Sequence, residues 1–166
     1  MITAEYARTM ARYNRWMNGK LYECAGGLDD AARKADMGAF FKSIHGTLNH
    51  LLLADRMWMG RFTGELFLPG SLADELYADF ATLRRERDRT DEAIEGHMAA
   101  LDDTRLASTL RYTSITNPAP RTIPLALAIM HFFNHQTHHR GQLTTLLMQR
   151  GIDPGVTDLM WLDMAR

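Results

Sequence analysis

The chain has 166 residues, of which 46% are hydrophobic and 23% are charged, and its formal net charge is −1. This length and composition are those of one folded domain with its own hydrophobic core, and we expect a single domain over residues 1–166. A net charge close to zero leaves no broad basic surface for a polyanion, so we expect no nucleic-acid partner.

The cysteine content and the lengths of the apolar runs indicate the cellular compartment in which the protein is expected. Cys24 is the only cysteine, which excludes an internal disulfide framework and a cysteine-rich metal site and favours a small packed hydrophobic role. The N-terminal residues alternate polar and apolar types, unlike a signal peptide. The longest uncharged apolar run, residues 123–130, is far shorter than the roughly 20 residues that span a bilayer. We therefore expect a soluble cytoplasmic protein with no membrane partner.

Two amphipathic helices are predicted in the first part of the chain. Residues 3–24 form the first, which ends at Gly26 and Gly27, and residues 28–41 form a connection with at most one short helical turn. Residues 43–62 form the second, with Ser43 as its cap and Gly64 after its end. His50 shares an otherwise apolar face of this second helix, whose other members are Leu53, Ala54 and Met57.

The third predicted helix covers residues 77–101. Its middle, residues 84–89, mixes charges of both signs and is interpreted as a solvated, salt-bridged face. His97 on this helix has no companion and is expected at the surface or its boundary. Residues 108–124 are rich in threonine and aromatic or branched residues, which predicts a small hairpin or extended loop with a turn at residues 117–120.

The last long helix is predicted over residues 124–150, followed by a short helix over residues 158–164 that carries Trp161. The expected core face of the last long helix consists of Leu127, Met130, Leu143, Leu146 and Leu147. Each long helix has one apolar stripe to bury. The fold class that we predict is therefore all-α, a four-helix bundle with long crossover connections and a short C-terminal helix.

Four of the seven histidines lie within residues 131–142. On a helix His135 pairs with either His131 or His139 at a spacing of four residues, where two imidazoles can reach one ion. His138 is rotated by about 100° from His139, so at most two of the four are expected to be ligands. His45 is rotated by roughly 140° from His50 and is interpreted as a helix-end residue.

Three segments together closely resemble the DinB (damage-inducible) family of the DinB/YfiT-like superfamily. They are residues 13–16 (YNRW), residues 43–56 (SIHGTLNHLLLADR) and residues 131–142 (HFFNHQTHHRGQ). The resemblance implies a four-helix bundle in which His50, His135 and His139 hold a divalent metal ion, and it implies a homodimer. Further positions match the motif without a role that the resemblance assigns: Asn134, His138, Arg140, Gly141 and Gln142.

A site of three neutral imidazoles leaves a coordination position open, the pattern of catalytic metal sites. Zinc or nickel is the expected ion, and iron or manganese is chemically acceptable. The resemblance implies a small-molecule substrate and either a transferase that uses a low-molecular-weight thiol or a hydrolase. The alternatives are a non-catalytic, stress-associated metal-binding bundle and a plain helical dimer with incidental histidines.

Two further groups have both a functional and a structural interpretation. Arg140 is a candidate to hold the carboxylates of a thiol cofactor, although a helix-surface arginine is the simpler interpretation. Aromatic residues could line a pocket beside the ion or form ordinary bundle core, which we favour: Tyr13, Trp16, Trp58 and Phe132.

Overall fold

The computed structural model describes residues 2–114 and 119–164. Within these ranges the chain is mostly helical, with one small antiparallel hairpin, and the elements follow in this order: α1 (Ala4–Gly26), α2 (Asp30–Lys34), α3 (Ile44–Thr63), α4 (Phe80–Ala99), α5 (Asp103–Leu106), β1 (Thr109–Thr113), β2 (Pro120–Pro124), α6 (Leu125–Gln149) and a terminal 3-10 helix (Leu159–Met164). The predicted turn residues 117 and 118 lie outside the described ranges.

Side-chain caps fix where the first two long helices begin, and a glycine fixes where α3 ends. Thr3 accepts a hydrogen bond from the backbone N–H of Tyr6, and Ser43 accepts one from that of Gly46. Gly64 ends α3 in the left-handed conformation, with φ 86°, which glycine adopts without a steric cost. The predicted starts and ends of these two helices therefore agree with the structure to within two residues.

The four long helices surround a shared core. α1 packs against α4 and α6, and α3 packs against the same two helices. The side chains at the centre are fully enclosed, and they include Met17, Leu52, Ile94 and Phe133. This packing places the middle of α3 beside the middle of α6.

The hairpin closes one side of this arrangement. Its strands pair with Leu110 opposite Ile123 and Tyr112 opposite Arg121, and it contacts both α3 and α6. Leu110 is buried against the core, and Tyr112 is partly buried on the same cluster. The hairpin that the sequence predicted is present, and it forms a wall next to α3.

The third long helix begins later than predicted, at Phe80 instead of Tyr77. The backbone N–H of Tyr77 donates to Oδ1 of Asn49, and its carbonyl accepts from the Asn49 amide. Asp79 then caps α4 by accepting from the N–H of Thr82 at 2.8 Å. These hydrogen bonds hold the backbone of Tyr77 against α3, and the helix begins only after the Asp79 cap.

The expected core face of the last helix was partly wrong. Leu143, Leu146 and Leu147 are buried, but Leu127 and Met130 are 49% and 40% exposed. The neighbouring residues take the core positions of the first turns: Ala128, Ile129, Phe132 and Phe133. The apolar residues cover most of this helix, so their spacing alone did not indicate which side faces inward.

The solvated face predicted for residues 84–89 was also partly wrong. Arg87 is 1% exposed, and its guanidinium donates to Asp55 at 2.7 Å and to Asp91 at 2.8 Å. Asn18 adds hydrogen bonds to Asp91, and the Gln136 amide donates to Asp55 at 2.9 Å. All four long helices therefore contribute to one buried polar network, in which Arg87 pairs with both carboxylates.

No helix among the described residues is long and apolar enough to cross a membrane.

Candidate metal centre

His50 lies in the second turn of α3, and His135 and His139 lie one turn apart on α6. Because α3 packs against α6, the structure brings these three imidazoles together, and one nitrogen of each lies within 4.8 Å of the others. Nε2 of His135 and Nε2 of His139 are 3.1 Å apart. The predicted ligand set therefore forms one cluster, which we call the histidine triad.

A backbone carbonyl determines which nitrogen of His50 faces the cluster. Nδ1 of His50 lies 2.9 Å from the carbonyl oxygen of Leu72, and since a carbonyl only accepts, Nδ1 carries the proton. Nε2 then has a free lone pair. It is buried and has no hydrogen-bond partner among the described residues, which is costly in the absence of a ligand.

A side-chain amide does the same for His139. Nδ1 of His139 lies 2.8 Å from Oε1 of Gln142, and the amide nitrogen of Gln142 faces Nε2 of His138 at 3.4 Å. Nδ1 of His139 therefore donates, and Nε2 presents its lone pair toward His135. Metal-binding histidines in proteins are held by outer hydrogen bonds of this kind, which fix the tautomer and the ring orientation.

The three imidazoles are neutral at physiological pH. Burial, together with a smaller effect of the neighbouring imidazoles, lowers the pKa of His50 to about 4 and that of His135 to about 3. Burial also lowers the pKa of His139. The deprotonated form is the one that binds metal, so no proton has to leave before an ion is bound.

Phe41 covers one side of the triad. Its ring stacks on His50 with centroids 3.7 Å apart and meets His139 edge-on at 5.5 Å. The turn that carries Phe41 packs against the first turn of α3, where a Cβ at Gly46 would lie 2.2 Å from the carbonyl oxygen of Phe41. The absence of a side chain at Gly46 thus permits the approach of this turn.

Two cavities reach the triad from different sides. One has a volume of about 470 Å³ and extends between α3, α6 and the hairpin, and the other has a volume of about 550 Å³ and lies beside Phe41 and His138. His50, Leu72 and His135 line both. A small molecule can therefore approach the cluster.

The remaining histidines lie outside the triad. His131 is exposed on the wall of the first cavity, with its ring centroid 6.0 Å from that of His135, and His138 is exposed beside the second. His45 lies in the first turn of α3, as predicted, but it is fully buried and its Nε2 is 2.9 Å from the carbonyl oxygen of Tyr77. His97 is half-buried and stacks on Phe62.

The interpretation of Arg140 as a helix-surface residue was wrong. Its side chain is 3% exposed and donates to Oδ1 of Asn14 within the buried polar network, with Thr137 as a second acceptor. It lines neither of the two cavities next to the triad. Its role is to connect α1 to α6.

The aromatic residues divide between the two interpretations. Trp58 lines the first cavity, whereas Phe132 is fully buried in the core and the Tyr13 hydroxyl donates to the carbonyl oxygen of Thr157. Trp16 packs against the edge of the core. Core packing therefore accounts for most of this group, as we favoured.

The sequence did not indicate three of the contacts that complete the site. Gln142 is one turn from His139, and this spacing could have suggested their hydrogen bond. Leu72 acts through a loop carbonyl, which carries no side-chain signal, and Phe41 lies in a segment predicted only as a connection. Each of the latter two depends on how a loop folds back onto α3.

Comparison with known proteins gives consistent matches. The model of the DinB family matches residues 1–165. The chain is 26% identical to Protein DinB of Bacillus subtilis (strain 168) over 170 aligned positions, covering 93% of this chain and 92% of that protein. A crystal structure of a DinB-like protein from Bacillus cereus ATCC 10987 has the same fold, with a TM-score of 0.61, 20% identity and coverage of 85% of this chain and 91% of that one.

The family match spans all three segments on which the resemblance was based, including both helices that carry the histidine triad. The expected family is thereby confirmed, and this chain belongs to the DinB family.

Proposed function

We propose that His50, His135 and His139 bind one divalent metal ion and that the protein is a metal-dependent enzyme acting on a small molecule. The observation that carries this proposal is the buried, unpartnered Nε2 of His50, which faces two further imidazole nitrogens on α6. Three nitrogen donors, two of them held in the ligating tautomer by Leu72 and Gln142, suit zinc or nickel and are acceptable to iron or manganese.

A bound ion would supply a Lewis acid that lowers the pKa of water or a thiol and leaves it a nucleophile at neutral pH. The protein's residues have separate tasks. The Leu72 carbonyl and the Gln142 amide hold the rings of His50 and His139, and Phe41 excludes water from one side of the cluster. The cavity between α3 and the hairpin provides the path for the substrate.

Within this class we favour two reactions: transfer or isomerisation that uses a low-molecular-weight thiol, and hydrolysis. Both need an open coordination position, for which the two cavities leave room. We also propose that the four long helices form a four-helix bundle. The protein is further proposed to act as a homodimer of single-domain chains. A cytoplasmic location is proposed as well, and the free thiol of Cys24 accords with that reducing compartment.

The metal site is tested by elemental analysis of protein purified without a polyhistidine tag. We expect about one ion per chain in the wild type and its loss in each of the variants His50→Ala, His135→Ala and His139→Ala. His138→Ala is the matched control, because it removes an exposed imidazole from the same turn, and it should retain the ion. Full metal content in the three triad variants would refute the site.

A non-catalytic role for the same ion is the second candidate, because the triad bridges α3 and α6 and an ion there would link them. Chelation distinguishes the two functions. A structural ion contributes to folding, so its removal should lower the melting temperature sharply. A catalytic ion should be removable with a smaller change in stability, while turnover of thiol or ester probes is lost.

A further inference from the structure

Arg61 lies on the same face of α3 as His50. The two residues are eleven positions apart, which is close to three full turns, so they are about 16 Å apart along the helix axis with almost no rotation between them. Ala54 and Met57 occupy the turns between them. All four residues line the cavity of about 470 Å³ that ends at the triad. This cavity therefore runs along one face of α3, from the guanidinium of Arg61 to the histidine triad.

The guanidinium of Arg61 is held by aromatic rings, and it has no carboxylate partner within the part of the chain that the structure describes. It lies over the ring of Trp58 at 4.4 Å and over that of Tyr112 at 4.7 Å. Throughout residues 2–114 and 119–164 it forms no ion pair. By contrast, Arg56, five residues earlier on α3, pairs with Glu86 at 2.5 Å. Stacking through its faces leaves the N–H edges of the Arg61 guanidinium available to a planar acceptor.

The cavity as a whole favours an anion. Arg61 and Arg121 line it together with His131, and its described lining contains no aspartate or glutamate. The chain carries a net charge of −1, so this local excess of positive charge is not a general property of the protein. Burial lowers the pKa of Arg61, but a guanidinium remains protonated at any physiological pH.

The rest of the lining is apolar. Met57, Trp58, Ile123 and Leu127 form the walls between Arg61 and the triad. Leu127 is 49% exposed although it belongs to a long helix, because its side chain borders this cavity and not the core. Small-molecule sites are characteristically apolar with a few polar groups that fix the orientation of the ligand.

We propose that this cavity binds the substrate as a carboxylate with an apolar body, in which Arg61 receives the carboxylate and the apolar walls direct the other end of the molecule to the histidine triad. The orientation toward the triad rests on the proposed function, whereas the carboxylate site at Arg61 does not. Arg61 is a binding residue that sets specificity in this proposal. The sequence analysis had named Arg140 as the candidate to hold a carboxylate, and in this proposal Arg61 has that role instead.

The first test uses the wild-type protein and a matched pair of probes. Binding of 4-(4-fluorophenyl)butanoate is measured by fluorine NMR against the uncharged 4-(4-fluorophenyl)butanamide, which has the same apolar body. We expect the carboxylate to bind at least about tenfold more tightly, because a charge-assisted hydrogen bond is lost with the amide. Equal affinities, or no binding of either probe, would overturn the proposal.

The second test uses variants. Arg61→Gln should weaken carboxylate binding by about tenfold or more and leave amide binding nearly unchanged. Arg111→Gln is the matched control, since Arg111 precedes Tyr112 on the same strand, is exposed and does not line the cavity, and it should bind like the wild type. The comparison of the two probes on wild-type protein remains decisive if Arg61→Gln does not fold. Unchanged carboxylate binding in a folded Arg61→Gln variant would contradict the assignment.

Two controls separate this inference from other outcomes. The titrations are repeated on chelator-treated protein, where carboxylate binding at Arg61 should persist, while elemental analysis reports separately on the triad. Failure of the metal site would then leave the Arg61 result standing, and the reverse also holds. Inorganic phosphate serves as a competitor, and displacement of the probe by phosphate at equal affinity would overturn the assignment to a carboxylate with an apolar body.

Discussion

Oε1 of Gln142 lies 2.8 Å from Nδ1 of His139, one helical turn earlier on α6. This hydrogen bond directs the other nitrogen of His139 toward His135 and His50. Replacement of Gln142 by leucine keeps the size of the side chain but removes the acceptor. We expect zinc affinity to fall by about 10- to 100-fold, which competition with a chromophoric chelator would measure.

The control for Gln142→Leu is His138→Ala. His138 is the second partner of the Gln142 amide, at 3.4 Å, and its removal leaves the bond to His139 intact. This variant should bind zinc like the wild type. Equal affinities for all three proteins would mean that the Gln142 contact does not support the triad.

Zinc binding should release very few protons from His50 and His135 at pH 6. The pKa of His50 is lowered to about 4 and that of His135 to about 3, so both are already neutral at this pH. Histidines with an ordinary pKa near 6.5 would each release about three quarters of a proton. Calorimetric titration in two buffers with different ionisation enthalpies measures the number released.

The same lowered pKa values determine how the affinity for zinc changes with pH. As the pH falls toward 4, His50 becomes protonated before His135 and the proton competes with the ion, so zinc affinity should decline in that range. A release of about two protons at pH 6, with affinity already falling there, would contradict the burial that lowers these pKa values.

Gly46→Ala should destabilise the protein. A Cβ at this position would lie 2.2 Å from the backbone oxygen of Phe41, and backbone cannot move away as a flexible side chain can. The turn must shift, and with it the Phe41 ring that stacks on His50. We expect a loss of about 1–3 kcal/mol in the free energy of unfolding, measured in urea, together with weaker zinc binding.

Gly96→Ala is the matched control for this substitution. Gly96 is exposed inside α4, and a Cβ there meets nothing within 4 Å. The same chemical change should therefore stabilise the protein, by about 0.5–1 kcal/mol, because alanine is the better helix former. Destabilisation by both substitutions to the same extent would refute the steric explanation.

Arg87→Met should be among the most destabilising substitutions in the chain. Arg87 forms ion pairs with Asp55 and Asp91 inside the core, and its loss removes the ion-pair partner of both buried carboxylates. Removing one partner of a buried ion pair costs about 3–5 kcal/mol. Arg89→Met is the control, because Arg89 is 72% exposed and its pair with Glu86 lies at the surface, so its loss should cost about 1 kcal/mol or less.

The sequence predicted the features of the fold that depend on neighbouring residues. Thr3, Ser43 and Gly64 mark helix ends because each cap involves a residue only a few positions away along the chain. The prediction failed at Tyr77, where a helical pattern continues but hydrogen bonds to α3 use the backbone. The signal there lay 28 residues away, outside any local pattern.

The candidate site likewise has features that the sequence predicted and features that it did not. The pairing of His135 with His139 follows from helical spacing, although the spacing also allowed His131 with His135, and His50 was included through the resemblance to the family. No spacing distinguishes a buried Arg87 from its exposed neighbours, or places Arg61 in a cavity and Arg140 in the core. Those positions depend on which side of each helix meets another helix.

The sequence by itself thus determined the long helices, the ends that carry local caps and the candidate histidines, because helix formation, capping and spacing are local along the chain. Only the tertiary structure decided which nitrogen of each imidazole faces the cluster and which arginine lines the cavity. The Leu72 carbonyl that holds His50 illustrates the physical reason. Every residue has such a carbonyl, and only the packing of a loop against α3 brings this one within hydrogen-bonding distance of a histidine.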